Sequence, residues 1–273
     1  MKFRRSGRLV DMTHYLLHHP HALIPLTFFS ERYESAKSSI SEDLVIIKQT
    51  FEQQGIGTLI TTPGAAGGVK FIPKVTRGEA NGIIQRLCEK VSDPSRLLPG
   101  GYLYLTDLLG NPKMMNQIGR LFASVFANRT IDVVMTVATK GIPIAYAVAS
   151  YLDVPFVIVR RDNKVTEGPM VSINYVSGSS KRIQTMTLAK RSLKEGSNVL
   201  IVDDFMKAGG TINGMISMLS EFGANVSGIG VLVESESVDE RLVNEYISIL
   251  KLSDMNEKER SIQVSKGNYF DFL

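Results

Sequence analysis

The chain has a single cysteine, Cys88, in 273 residues. No intrachain disulfide and no cysteine-rich zinc site can form, and Cys88 is expected as a small buried apolar residue. No apolar run reaches the ~18 residues that a membrane span needs. The basic N-terminus is not followed by an uninterrupted apolar stretch with a small-residue cleavage site, so no secretory signal is expected and the cytoplasm is the default location. Internal repeats and low-complexity runs are also missing. What is present is ordinary for a globular protein, with 44% hydrophobic and 21% charged residues. The length suits one large or two unequal domains.

The net charge is a modest +4, but it is unevenly placed. Residues 1–74 carry nine Lys/Arg and six Asp/Glu, so +3 lies in this segment and +1 in residues 75–273. Positive charge clustered in a small terminal segment suits a polyanion such as nucleic acid.

Two kinds of pattern meet near residue 75. Ser6 to Leu17 has apolar residues near helical spacing, ended by His18, His19, Pro20 and His21. Pro25 can open a short helix to Tyr33. Ser39 or Ser41 can cap a third helix, through Leu44, Ile47 and Phe51 to Gly55. Gly57–Thr62 and Val69–Lys74 flank the turn Pro63–Gly68 and read as a hairpin. Three helices and a hairpin make a winged-helix arrangement, and residues 1–74 are assigned to it. Residues 75–273 form the second domain. After an amphipathic helix over Glu79–Val91, apolar β-branched runs at Val133–Ala138, Phe156–Val159, Val199–Val202 and Gly228–Val233 alternate with helical patterns at Pro143–Tyr151 and Thr211–Phe222. This is an α/β pattern, with a mainly parallel sheet covered by helices on both faces. Residues 160–191 interrupt it as a polar, basic loop or two-stranded flap. The tail after Ser253 reads as charged.

The strongest motif is Val199-Leu-Ile-Val-Asp203-Asp204-Phe205-Met-Lys207-Ala208-Gly209-Gly210-Thr211. Gly209 and Gly210 let backbone amides close around a phosphate without an intervening Cβ. The helix that starts near Thr211 points its positive end at the same place, and the Thr211 hydroxyl adds a donor. Asp203 and Asp204 repel phosphate, but they can accept hydrogen bonds from ribose hydroxyls or stand beside a Mg²⁺ held by those hydroxyls. Strand end and helix start coincide where open α/β sheets bind ligands.

This loop resembles the 5-phosphoribosyl-1-pyrophosphate (PRPP) motif of type I phosphoribosyltransferases. The resemblance implies a phosphoribosyltransferase-like fold, with the paired acids on the ribose hydroxyls and the loop on the 5-phosphate. Ala208 departs from the family's frequent threonine and removes one hydroxyl donor; Lys207 supplies charge. Ala138-Thr139-Lys140-Gly141 resembles the family's pyrophosphate loop. Arg160, Arg161, Lys164, Lys181, Arg182, Lys190 and Arg191 lie in or beside the flap and could close over an anion, although a solvated basic loop explains each of them singly. Gly101–Met115 resembles the hood over the purine in xanthine phosphoribosyltransferases, where Tyr102 and Phe205 could stack on a base, although core packing explains each of them singly.

In the N-terminal segment, Lys37 to Gln49 reads as a recognition helix. Lys37, Ser38, Ser39 and Ser41 at its start suit base edges or phosphates, Lys48 can reach a phosphate, Arg4, Arg5 and Arg8 add backbone contacts, and Lys70 sits on the wing. His14, His18 and Asp11 could form a metal site, but histidines near a helix C-terminus are favourable in any case and no metal is assigned.

A winged helix fused to a PRPP-binding domain resembles the purine operon repressors of Gram-positive bacteria. That resemblance implies a homodimer on double-stranded DNA that represses purine synthesis and transport genes, PRPP as the inducer that weakens DNA binding, and little or no transferase activity. Tyr102, Phe205 and the basic flap also motivate guanosine tetraphosphate as a corepressor in the same site. Two rival readings stay open: an active purine phosphoribosyltransferase with an accessory N-terminal domain, and a PRPP-binding protein that never touches DNA.

Overall fold

The computed structural model describes residues 3–64, 66–162, 167–176, 183–236 and 240–273. The N-terminal part holds three helices, α1 (Arg5–His18), α2 (Leu26–Arg32) and α3 (Lys37–Gln53), and the antiparallel strands β1 (Gly57–Thr62) and β2 (Gly68–Pro73). Met12 and Leu16 on α1, and Ile40, Leu44, Ile47 and Phe51 on α3, recur at helical spacing and are buried. They close a core with Phe29, Tyr33, Leu59, Val69 and Phe71. Ile24 exchanges backbone hydrogen bonds with Val69 and ties the root of the hairpin to the chain entering α2.

One local expectation is corrected. Neither Ser39 nor Ser41 caps α3. The helix already starts at Lys37 with Ala36 at its N-cap, and the Ser41 hydroxyl donates back to the Lys37 carbonyl at 2.9 Å. Burial of Ile40 in the domain core sets the start, and packing overrides the preference for a capping serine.

The second part begins with α4 (Arg77–Val91), where Thr76 accepts from the Glu79 amide at 3.2 Å as an N-cap. A small pair, β3 (Leu97–Leu98) and β4 (Tyr102–Leu103), and a single turn, α5 (Thr106–Leu109), lead into α6 (Pro112–Phe126). A six-stranded sheet follows. It contains β5 (Val133–Val137), β6 (Phe156–Val159), β9 (Asn198–Met206), β10 (Asn225–Ser235), β11 (Ile247–Asn256) and β12 (Ser261–Lys266) in the order β12-β11-β10-β9-β5-β6. All neighbours are parallel except β11 and β12. Every residue of β5 is buried, which is why it reads as an unbroken apolar run. α4, α6 and α7 (Ile142–Leu152) cover one face of the sheet. The other face carries α8 (Gly210–Glu221) and the antiparallel hairpin β7 (Met170–Val176) with β8 (Ile183–Ala189).

The fold is therefore α/β with a mainly parallel sheet, as the pattern suggests. Residues 160–191 do contain a two-stranded hairpin. It forms a sheet of its own and meets the main one through Arg160 and Thr187, whose amides and carbonyls pair at 2.9 and 2.7 Å. The charged tail after Ser253 completes β11 and provides β12. No helix among the described residues is long and apolar enough to cross a membrane.

The two parts are tied at residues 74–79. The Val75 amide donates to Ser124 Oγ at 3.1 Å. Arg120 on α6 donates to the Gly55 carbonyl at 2.8 Å and to Glu79 at 2.5 Å.

Candidate functional site

β9 continues through the acid pair to Met206, so Asp203 and Asp204 lie on the strand's last turns of pleat rather than beyond it. The chain then makes a tight loop and enters α8. Gly209, at φ +85°, is the N-cap of that helix, a conformation that glycine adopts without steric cost. Asp203, Phe205, Lys207, Ala208, Gly209, Gly210 and Thr211 line one cavity of about 400 Å³ together with Tyr102. That size suits a small phosphorylated ligand. The N-terminus of α8 directs unpaired amides and its positive dipole end at this loop.

The acids are strongly perturbed. Asp203 is buried, and its Oδ1 accepts from the Asp204 amide at 2.9 Å. Desolvation, and then the charge of Asp204, push the Asp203 carboxyl well above the usual carboxylate range. Burial also raises Asp204, and nearby Lys140 opposes that rise. A carboxylate pair held this way is most stable beside donor hydroxyls or a cation.

β5 neighbours β9 in the sheet, and this brings the second loop to the first. Ala138 and Thr139 are joined by a cis peptide bond, Thr139 and Lys140 are exposed, and Gly141 is buried at the N-cap of α7. A Cβ on Gly141 would collide with Thr136 Oγ1 and stand 3.2 Å from Asp203 Oδ1. Gly141, at the start of α7, thus abuts Asp203, while Asp204 and residues 138–141 do not line the cavity itself.

Tyr102 is 70% exposed and faces the same cavity, with Phe205 half-buried beside it. Arg160 is half-buried, its guanidinium 3.8 Å from Glu167. Lys164, Lys181 and Arg182 lie outside the described residues. The sequence reasoning missed Gly100, Ile212, Ser235 and Met255 as lining residues. Ser235 was within reach, because it ends the strand next to β9, where ligands of parallel sheets sit.

On the N-terminal domain, Arg4, Lys37, Ser38, Ser41 and Lys48 are exposed, and Ser39 and Lys70 are half-buried. Lys48 stands 4.0 Å from Glu52. Arg8 is corrected. It is buried, its Nε donates to Asp43 Oδ2 at 2.5 Å and its NH1 to Ser35 Oγ at 2.9 Å. Its Nε and NH1 are thus engaged inside the domain, which turns Arg8 toward the core rather than the outer face. Arg5 is half exposed and shares Asp43 at 3.0 Å. Asp11 accepts from Arg32 at 2.8 Å and from the Tyr33 hydroxyl at 2.6 Å, so its carboxylate is engaged by these two donors. Among the described residues no group of three or more His, Cys, Asp or Glu is arranged to hold a metal ion.

Comparison with known proteins agrees with both halves. Residues 4–73 match the model of the bacterial purine repressor N-terminal domain, and residues 105–265 match that of the phosphoribosyl transferase domain. The chain is 74% identical over 273 residues to the purine biosynthesis transcriptional repressor PurR of Bacillus subtilis, covering 100% of this chain and 96% of that protein. The chain belongs to the bacterial purine repressor family. The family also contains regulators named for the opposite effect: the purine biosynthesis transcriptional activator PurR of Lactococcus lactis is 52% identical over 268 residues, 98% of this chain and 99% of that one. Among solved structures, the adenine phosphoribosyltransferase of Thermoanaerobacter pseudethanolicus superposes with a TM-score of 0.52 at 24% identity. It covers 61% of this chain and 98% of its own, a likeness of fold. The purine repressor family thus joins a DNA-binding N-terminal domain to a phosphoribosyltransferase-like domain.

Proposed function

We propose that this protein is a transcriptional repressor of purine synthesis and transport genes that senses PRPP and uses its phosphoribosyltransferase-like site without turning the ligand over. One juxtaposition carries the reading. Asp203 lines one cavity with the loop Lys207–Thr211 and stands beside Gly141 of the second loop, in a chain whose N-terminal domain belongs to the purine repressors. In this reading the loop Lys207–Thr211 takes the 5-phosphate, Ala138–Gly141 takes the pyrophosphate, and Asp203 and Asp204 take the ribose hydroxyls. The buried, raised carboxyls fit a Mg²⁺ bound with the ligand, which would neutralise the acid pair and the pyrophosphate together.

The physical logic is that of a gauge. PRPP accumulates when purine synthesis stops consuming it, and a site that binds without transferring reports the level without lowering it. The ligand must bind the DNA-free form more tightly, and a coupling of about 1–3 kcal/mol, roughly 5–150-fold, is enough. The DNA-binding form is a homodimer, which offers two helices to two half-sites. Guanosine tetraphosphate occupies the same cavity as a corepressor, its base against Tyr102 and Phe205 and its phosphates on the same loops.

The test is a gel shift with purine-gene upstream fragments at fixed salt, with and without PRPP and Mg²⁺. Tight binding that PRPP weakens supports the reading, and guanosine tetraphosphate added with PRPP should restore the shift. A fragment that never shifts overturns it. The presence of both loops, despite Ala208, favours one second reading, an active purine phosphoribosyltransferase. Release of pyrophosphate from PRPP with hypoxanthine, xanthine, guanine or adenine supports that alternative.

A further inference from the structure

The phosphate loop is held from behind by residues that do not line its cavity. The Leu242 amide donates to the Ala208 carbonyl at 2.9 Å. The Ala208 carbonyl and the Gly209 N–H belong to one planar trans peptide, so they point in opposite directions. With the carbonyl drawn back to Leu242, the Gly209 N–H is aimed forward, toward the cavity that Gly209 lines. Val243 blocks the space behind: a Cβ on Gly209 would lie 3.1 Å from its side chain.

The position of Leu242 depends in turn on Arg241. Its guanidinium donates to the Ser235 carbonyl at 2.8 Å, to the Tyr246 hydroxyl, and lies 2.9 Å from Glu234 Oε2. Glu234 is buried and also accepts from the Tyr246 hydroxyl at 2.6 Å and from Ser248 Oγ at 2.7 Å. On the sheet, Glu234 is in register with Met206, the residue that precedes the loop. One buried carboxylate therefore references both sides of the loop, through β9 at Met206 and through Arg241 and Leu242 at Ala208. A buried ion pair contributes little net stability, but fully hydrogen-bonded it fixes geometry.

We propose that Arg241, locked by Glu234 and Tyr246, is a positioning residue for the 5-phosphate: through Leu242 it orients the Ala208–Gly209 peptide so that the Gly209 N–H donates to the phosphate. This rests on the reading of the cavity as a PRPP site. It also explains how the loop manages with Ala208. The hydroxyl donor is missing, and a backbone donor is held rigidly in its place.

The test is isothermal titration calorimetry of the full chain with two separate probes, ribose 5-phosphate for the loop at Lys207–Thr211 and inorganic pyrophosphate for the loop at Ala138–Gly141. Arg241→Gln should weaken ribose 5-phosphate about tenfold, the equivalent of one well-made hydrogen bond, and leave pyrophosphate within about twofold. Arg241→Lys keeps the charge on Glu234 but not the fork, so it should fall between. Tyr246→Phe removes one hydroxyl from the lock without removing the ion pair, and it should show a smaller loss on ribose 5-phosphate alone even if Arg241→Gln does not fold. Unchanged ribose 5-phosphate affinity in the folded variants overturns the proposal. Equal loss of both probes overturns it as well, because general destabilisation does not discriminate between the loops. Wild-type protein that binds neither probe defeats the PRPP reading itself, and this is seen before any variant is made.

Discussion

Arg8 on α1 and Asp43 on α3 meet at 2.5 Å inside the N-terminal domain, and the Asp43 side chain is fully buried. The helix expected to read DNA is thus fastened to the first helix by an arginine that the charge pattern alone places on the outside. Asp43→Ala leaves that guanidinium buried without its partner and should cost about 3–5 kcal/mol. Chemical denaturation with a probe in the N-terminal domain checks this, and a loss below about 1 kcal/mol would mean that water replaces the carboxylate.

Lys37 and Lys48 remain exposed on α3. Each phosphate contact releases counterions, so removing one should flatten the plot of log affinity against log salt by about 0.9. Lys37→Ala and Lys48→Ala are expected to do so singly and to leave the preference among operator sequences largely unchanged. A slope identical to wild type would remove that lysine from the interface.

Asp203→Asn has opposite effects on stability and response. Burial raises the Asp203 carboxyl in the folded protein, so the folded state holds a proton more tightly than the unfolded chain. The stability linked to this group is complete below the unfolded value, about 3.9, and is lost as pH rises through the higher folded value. In the absence of ligand, Asp203→Asn should therefore match wild type in acid and become the more stable protein as pH rises toward neutrality, by thermal unfolding. Under the proposed PRPP reading the same substitution would remove the ribose contact and should abolish the effect of PRPP on DNA binding, with the gel shift itself retained.

Arg120 joins the two parts of the chain. It sits on α6, and α6 packs along α7, which begins after Gly141, in the loop proposed above to take the pyrophosphate. Arg120→Ala removes charge-assisted hydrogen bonds to Gly55 and Glu79, each worth about 1.5–3 kcal/mol when buried and less at this half-exposed junction. Faster amide exchange is expected at residues 54–56 and 74–80, with the six-stranded sheet protected as before. PRPP affinity should stay near wild type, and the weakening of DNA binding by PRPP should shrink.

The architecture was legible where local chemistry and burial agree. The loop Val199–Thr211 combines a strand fully buried at its start, an acid pair and a helix entry within a short span, so its chemistry is local. The wing hairpin is marked by its Gly-rich turn. β12 was not legible, because it is an edge strand that contributes two apolar residues, Ile262 and Val264, and adjoins a turn of charged residues. α6 was hidden behind a stretch rich in Gly and Pro, Pro94 to Gly101, and the hood resemblance, although Asn111 caps it and Pro112 opens it in the usual way. Arg8 could not be separated from Arg4 and Arg5 by charge. Its partner lies 35 residues away, and only the packing of α1 against α3 brings the two together. The support behind Gly209 was hidden for the same reason, since Leu242 and Ala208 adjoin only after β9 and β10 have paired.

The hairpin β7–β8 is a sheet apart, sewn to the main one by the paired backbones of Arg160 and Thr187. Its boundaries are therefore natural splice points. A hairpin of another length or charge, grafted between residues 161 and 189 with the packing of Tyr175 and Met186 on α8 kept, leaves every strand of the six-stranded sheet with its original neighbours. Evolution, or an engineer, can in this way restyle the hairpin without renegotiating the fold that presents it.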